Sequence, residues 1–135
     1  MIALSVLAQE TPAGWKVVKD RKQTCQMSVP PDWTANAIMP SNLTAPDKKA
    51  NVTFGSKPAS MSYADLVKAA KGMFKPVKMI EETASRTWYV AESARGKSGT
   101  TWYIAVATSP VCEAQIAFED AAFEATAKQI AKSLK

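Results

Sequence analysis

Histidine is absent from this chain of 135 residues. That absence removes the Ser-His-Asp and Cys-His nucleophilic pairs, the usual general base near neutral pH and most catalytic zinc sites. Cysteine is confined to Cys25 and Cys112, too far apart in sequence for a CxxC redox pair. The five glycines form neither a GxGxxG nor a Walker-type phosphate loop. Gly96-Lys97-Ser98 lacks the upstream glycine, and strand-like segments rather than a helix flank it. No apolar run approaches the roughly 20 residues that a membrane-crossing helix needs. No catalytic residue, metal ligand, cofactor or membrane span is therefore expected.

What is present is the composition of a globular domain. With 47% hydrophobic and 21% charged residues, the chain is long enough to bury a core as one domain, placed at residues 15–135. Ahead of it, Ile2 to Ala8 is apolar, and Val6 and Ala8 stand at −3 and −1 of a cleavage site before Gln9. No basic residue precedes this stretch, so residues 1–14 read as a signal-peptide remnant and linker, and export to the periplasm or medium is expected.

The two cysteines share a phase. In Cys25-Met27-Val29 and in Cys112-Ala114-Ile116-Phe118 every second residue is apolar, while Gln26, Ser28, Glu113 and Gln115 take the opposite face. Period-two alternation turns both thiols toward the core of a half-buried sheet. A Cys25–Cys112 disulfide joining the first and last strands is expected, consistent with an oxidising compartment. The alternative is two buried free thiols acting as small hydrophobes.

Net charge is +5. Lys16, Lys19, Arg21 and Lys22 form one basic cluster, and Lys68, Lys71, Lys75 and Lys78 another. Asp20 interrupts the first, and the second follows the polar side of a helix. Neither interleaves aromatics as a base-stacking surface does, so solvated surface is expected and no nucleic acid is assigned as partner.

Along the chain, a strand or lead-in at Trp15 to Val18 precedes a strand over residues 23–29, stopped by Pro30-Pro31. Trp33 follows in a turn. Residues 36–49 read as irregular with a short strand near Leu43, and Asn51 to Gly55 as the next strand. Ser62-Tyr63-Ala64-Asp65 starts a helix, whose stripe of Tyr63, Leu66, Val67, Ala70, Met73 and Phe74 runs to the stop at Pro76. Strands are expected at Lys78 to Thr83, Thr87 to Ala94 and Thr100 to Thr108, with the Arg95–Gly99 loop between the last two. After the Cys112 strand, Asp120 caps a closing helix bearing Phe123, Ala127, Ile130 and Leu134 on one face. The class is α+β: an antiparallel sheet packed with a mid-chain helix and a C-terminal helix.

Two features invite a functional reading. Glu92 and Glu113 fall on polar strand phases, where exposed surface is expected, and no pair of carboxylates is fixed in the facing arrangement that a glycosidase requires. In the doublets Trp88-Tyr89 and Trp102-Tyr103, one ring of each faces the core, and cross-strand packing is preferred to a stacking ledge.

The order of these elements, with Val29-Pro30-Pro31-Asp32-Trp33 as a "VPxxW"-like turn and Ile130-Ala131-Lys132-Ser133-Leu134 at the end, resembles the Mog1/PsbP-like group over about residues 15–135. That group includes a Ran-binding protein, an extrinsic photosystem II subunit and exported bacterial proteins and lipoproteins. The resemblance implies a sheet sandwiched by helices and a non-enzymatic accessory or adaptor domain that binds a protein or envelope component. It transfers no functional residue. Trp33, Arg95 and Lys97 are the candidate binding surface. The alternative function is a periplasmic carbohydrate or small-ligand binding module, or a hydrolase working with carboxylates alone.

Overall fold

Alternation builds the sheet from its middle outward. In the computed structural model, which describes residues 12–92 and 99–135, strand β9 (Cys112–Phe118) alternates buried and half-buried positions along its whole length. It pairs on both sides: with β5 (Ala50–Ser56) from Ala50↔Phe118 to Ser56↔Cys112, and with β8 (Thr100–Val106) from Thr100↔Phe118 to Val106↔Cys112. Strands β4 (Asn42–Thr44) and β3 (Thr34–Ala35) extend the sheet beyond β5, while β7 (Arg86–Ala91) and β6 (Pro76–Glu82) extend it beyond β8. The order is β3-β4-β5-β9-β8-β7-β6, antiparallel throughout. A separate two-stranded ribbon pairs β1 (Lys16–Lys19) with β2 (Gln26–Val29). The fold is thus α+β as expected. The signal-peptide remnant, Arg95 and Lys97 lie outside the described residues.

Cys25 and Cys112 are disulfide-bonded, with Cα atoms 5.9 Å apart. Both are buried in the core: Cys25 directly precedes β2 of the ribbon, and Cys112 opens β9 of the main sheet. The bond ties the ribbon to β9, the last strand, so the expected staple is present and joins two separate sheets. Strand phase decides which face a residue takes, not which neighbour its strand pairs with. Beside the disulfide, the Asp20 carboxylate accepts hydrogen bonds from the backbone N–H groups of Thr24 (2.8 Å) and Cys25 (3.0 Å) and from the Ser56 hydroxyl (3.0 Å). Burial alone pushes this carboxyl up, but the bonds from Cys25, Ser56 and Thr24 outweigh it and hold the pKa below its usual 3.8. Asp20 is therefore a structural anchor between the ribbon turn and the end of β5.

Helix α1 (Tyr63–Met73) begins where expected, with the Ser62 hydroxyl accepting from the Asp65 N–H at 3.1 Å. It buries Leu66 and Ala70 against Tyr89, Tyr103 and Ala105 on one face of the sheet. Met73 departs from the expected apolar stripe: at the last turn, beyond the edge of that contact, it is 76% exposed. On the other face, α2 (Glu124–Lys132) buries Ala127, Ile130 and Ala131, which meet Ile104, Ile116 and the ribbon residues Met27 and Val29 in one core. Asp120 caps the 3-10 turn Ala121–Phe123 that leads into α2, accepting from the Ala122 N–H at 2.9 Å. The chain end closes on the ribbon: Gln26 and Lys135 exchange both backbone hydrogen bonds, and the Ser28 N–H donates to the Ser133 hydroxyl at 2.8 Å.

The aromatic doublets divide as expected. Tyr89 and Tyr103 lie directly opposite each other under α1, with ring centres 5.3 Å apart. Trp88 and Trp102 meet edge to face at 5.1 Å in the other core. The Trp88 indole Nε1 is buried without a hydrogen-bond partner among the described residues.

Candidate binding groove

The Val29-to-Trp33 turn places the groove. Proline at 30 and 31 ends β2, and the Trp33 N–H closes the turn on the Pro30 carbonyl at 3.2 Å. The Lys16 ammonium donates to the Trp33 carbonyl from β1. Trp33 is turned inward. It is 3% exposed, and its ring stacks on Phe123 with centroids 5.6 Å apart and planes at 24°. Phe123 in turn packs on Phe118, Phe118 on Trp102 and Trp102 on Trp88 at 5.1 to 5.7 Å. One line of rings runs from the middle of the core to the end of the molecule.

Over the outer end of that line lies an open groove of about 480 Å³. Its lining includes the apolar Trp33, Phe123, Ala45 and Ala50 and the charged Asp32, Asp47, Asp120 and Lys49. The carboxylates come from three separate turns. Asp32 follows β2, Asp47 sits in the β4–β5 turn accepting from the Lys49 N–H at 2.9 Å, and Asp120 is the cap described above. No group of three metal-binding side chains occurs among the described residues, so the three aspartates do not converge on one point. The groove thus combines apolar side chains with three separate carboxylates and the Lys49 side chain.

Of the expected surface residues, Trp33 borders this groove but is buried, while Arg95 and Lys97 lie outside the described residues. Sequence reading left Asp47 unnamed within the irregular stretch 36–49 and read Asp120 as a cap. Nothing in their spacing brings positions 32, 47 and 120 together, because the sheet and α2 do that across the whole chain.

A second polar cluster lies under α1. The Glu113 carboxylate accepts the Tyr103 hydroxyl at 2.6 Å and pairs with the Lys57 ammonium at 2.7 Å. The expectation of an exposed Glu113 is thus corrected, because the α1 side of β9 is partly covered by the helix. The Tyr89 hydroxyl donates to the Phe74 carbonyl at 2.6 Å. Burial, then the Glu113 charge, push the Tyr89 phenol up to about 12. Tyr103 is raised further still, by burial first and then by its hydrogen bond to Glu113. Both phenols are donors held neutral, not bases.

This has a stability consequence. Both phenols have folded pKa values above the unfolded value of 10.0. Their contribution is complete below that pH and is lost as pH rises through the folded values. Urea midpoints are expected to fall steadily from about pH 10 upward, and less steeply in Tyr103→Phe. A midpoint that stays level over about pH 9 to 12 would contradict the burial of these two groups.

Fold and site together describe an α+β protein with a structural disulfide and an acid-rimmed groove. No family model matches the chain, and no curated protein matches it. Among solved structures it is similar to a protein from Bacteroides thetaiotaomicron VPI-5482, with a TM-score of 0.55 and 13% sequence identity. The likeness covers 82% of this chain and 44% of that one, so this chain spans less than half the neighbour's length. At that identity it speaks of fold alone.

Proposed function

We propose that this chain is an exported, non-catalytic accessory or adaptor domain of the Mog1/PsbP-like kind, binding a basic segment of an envelope protein in the Trp33–Phe123 groove. The observation that carries this reading is the groove itself: Asp32, Asp47 and Asp120 outnumber Lys49 in a lining shared with Trp33 and Phe123, on a chain whose net charge is +5. A lysine or arginine side chain would lay its aliphatic stem on Phe123 and its cationic head among the carboxylates. The rim charges are exposed, so the attraction is modest and sensitive to salt. Export is supported by the disulfide, since such bonds persist in oxidising compartments.

A sugar-binding module is less well supported, because stacking on a sugar needs an open ring face and Trp33 has given its face to Phe123. A carboxylate-only hydrolase needs two facing carboxylates roughly 5 to 10 Å apart, and Glu113 is already engaged by Tyr103 and Lys57.

The test is an NMR titration of the isotope-labelled protein with a lysine-rich peptide and with a glutamate-rich peptide of equal length. Amide shifts are expected around Trp33, Asp47 and Ala122 with the basic peptide alone. Asp32→Lys is expected to weaken them severalfold, as is added salt. Silence toward the basic peptide at about 1 mM, or equal shifts with the acidic one, would sink the reading.

A further inference from the structure

We propose that two copies of this chain join edge to edge through β6, continuing the sheet across a molecular two-fold axis. This is independent of the groove, which lies near the opposite side of the sheet order.

The sheet ends in two different ways. At one end β3 has two residues, a short and well-blunted edge. At the other, β6 runs for seven residues and, among the described residues, pairs only with β7, which leaves its outer row of backbone groups without a strand partner there. Six of its seven residues are exposed, and three of them, Val77 (66% exposed), Met79 and Ile80, are large and apolar. Met73 from the end of α1 is exposed as well. Pro76 and a first bulge, between Pro76 and Lys78, blunt the start of this edge, and the apolar run between Lys78 and Glu81 is the part that offers a template for another strand.

Charge identifies that strand as a second copy. The segment reads Lys75-Pro76-Val77-Lys78-Met79-Ile80-Glu81-Glu82, cationic in its first half and anionic in its second. Such a strand repels a parallel copy and attracts an antiparallel one. The bulge between Met79 and Glu81 sharpens the match. Lys78 pairs with Val90 and Glu81 with Trp88, two positions of β7 that share a face, so Lys78 and Glu81 share a face although three residues apart. A two-fold axis between Met79 and Ile80 sets Lys78 of each copy against Glu81 of the other, twice over, with Met79 and Ile80 meeting at the centre. Within its own chain Glu82 is held by Lys71 at 2.7 Å, whereas Glu81 is only 4.0 Å from Arg86 and is the better placed to accept Lys78.

One strand pair is a small interface, so association is expected at high concentration rather than at trace levels. Sedimentation equilibrium of the full chain up to about 1 mM should show a monomer–dimer equilibrium. Lys78→Glu alone and Glu81→Lys alone should each weaken it about tenfold, because every reversal counts twice across the axis. An equimolar mixture of the two variants should recover association, now as a heterodimer with two ion pairs, one in its original sense and one inverted. Amide hydrogen exchange in the unaltered protein gives a second reading that needs no variant: Val77 to Glu81 should become protected as concentration rises. A monomer at every concentration overturns the proposal. So does a dimer indifferent to both reversals, or one whose β6 amides stay unprotected.

Discussion

Replacing Cys25 and Cys112 together by alanine is expected to lower the free energy of unfolding by about 4 kcal/mol. The bond closes a separation of 87 residues, so most of the chain loses freedom in the unfolded state. Both cysteines are essentially inaccessible, at 1% and 0% exposure, so truncating them also removes packed atoms from the core. Against this stand the other ties of the ribbon: Asp20 to Ser56, Ser28 to Ser133 and Gln26 to Lys135. Those contacts are made only in the folded state, whereas the disulfide acts chiefly on the unfolded one, so the two do not substitute for each other. Urea unfolding of the double variant beside the parent protein measures the difference. A loss below about 1 kcal/mol would mean that the unfolded chain is already restrained around the ribbon, against the entropic account.

Trp102→Ala is expected to cost about as much, roughly 3 to 5 kcal/mol, by a different route. Trp102 stands between two rings, 5.1 Å from Trp88 and 5.1 Å from Phe118, both edge to face. Its removal leaves a cavity under the middle of the sheet that β8 and β9, hydrogen-bonded to each other along their length, cannot collapse to fill. The loss should appear in the urea midpoint and in a flattened near-ultraviolet dichroism spectrum, since Trp88 is cut off from the rest of the line of rings. A cost under about 1.5 kcal/mol would show that neighbouring side chains repack into the space.

Local signals in the sequence were read correctly where the physics is local. Alternation from Cys112 to Phe118 marked β9, Ser62 and Pro76 bracketed α1, and Asp120 announced the turn into α2. Alternation also placed both cysteines on the core side. It carried no information on partners, so the ribbon's separation from the main sheet and the central place of β9 were not visible. Polar phase misled at Glu113 because a strand pattern does not say how far a neighbouring helix reaches. Helical period misled at Met73 because the stripe outran the surface it packs on. The groove was half legible: the Pro-Pro-Asp-Trp turn drew attention to Trp33, but its stacking on Phe123 spans the whole fold.

The central place of β9 bears on how the chain is made. Everything from β3 to β5 forms one half of the sheet and everything from β6 to β8 the other, and the strand that unites them comes after both. Until Cys112 to Phe118 has emerged, β5 and β8 are bare edges, the Cys25 thiol has no partner and the ribbon lacks its contacts with Ser133 and Lys135. A polypeptide stopped short of that point is therefore not a smaller version of this protein but two unfinished sheets with matching open sides, inviting pairing between chains. Completion of the sheet waits for β9, and the edges of its two halves stay open until that strand arrives.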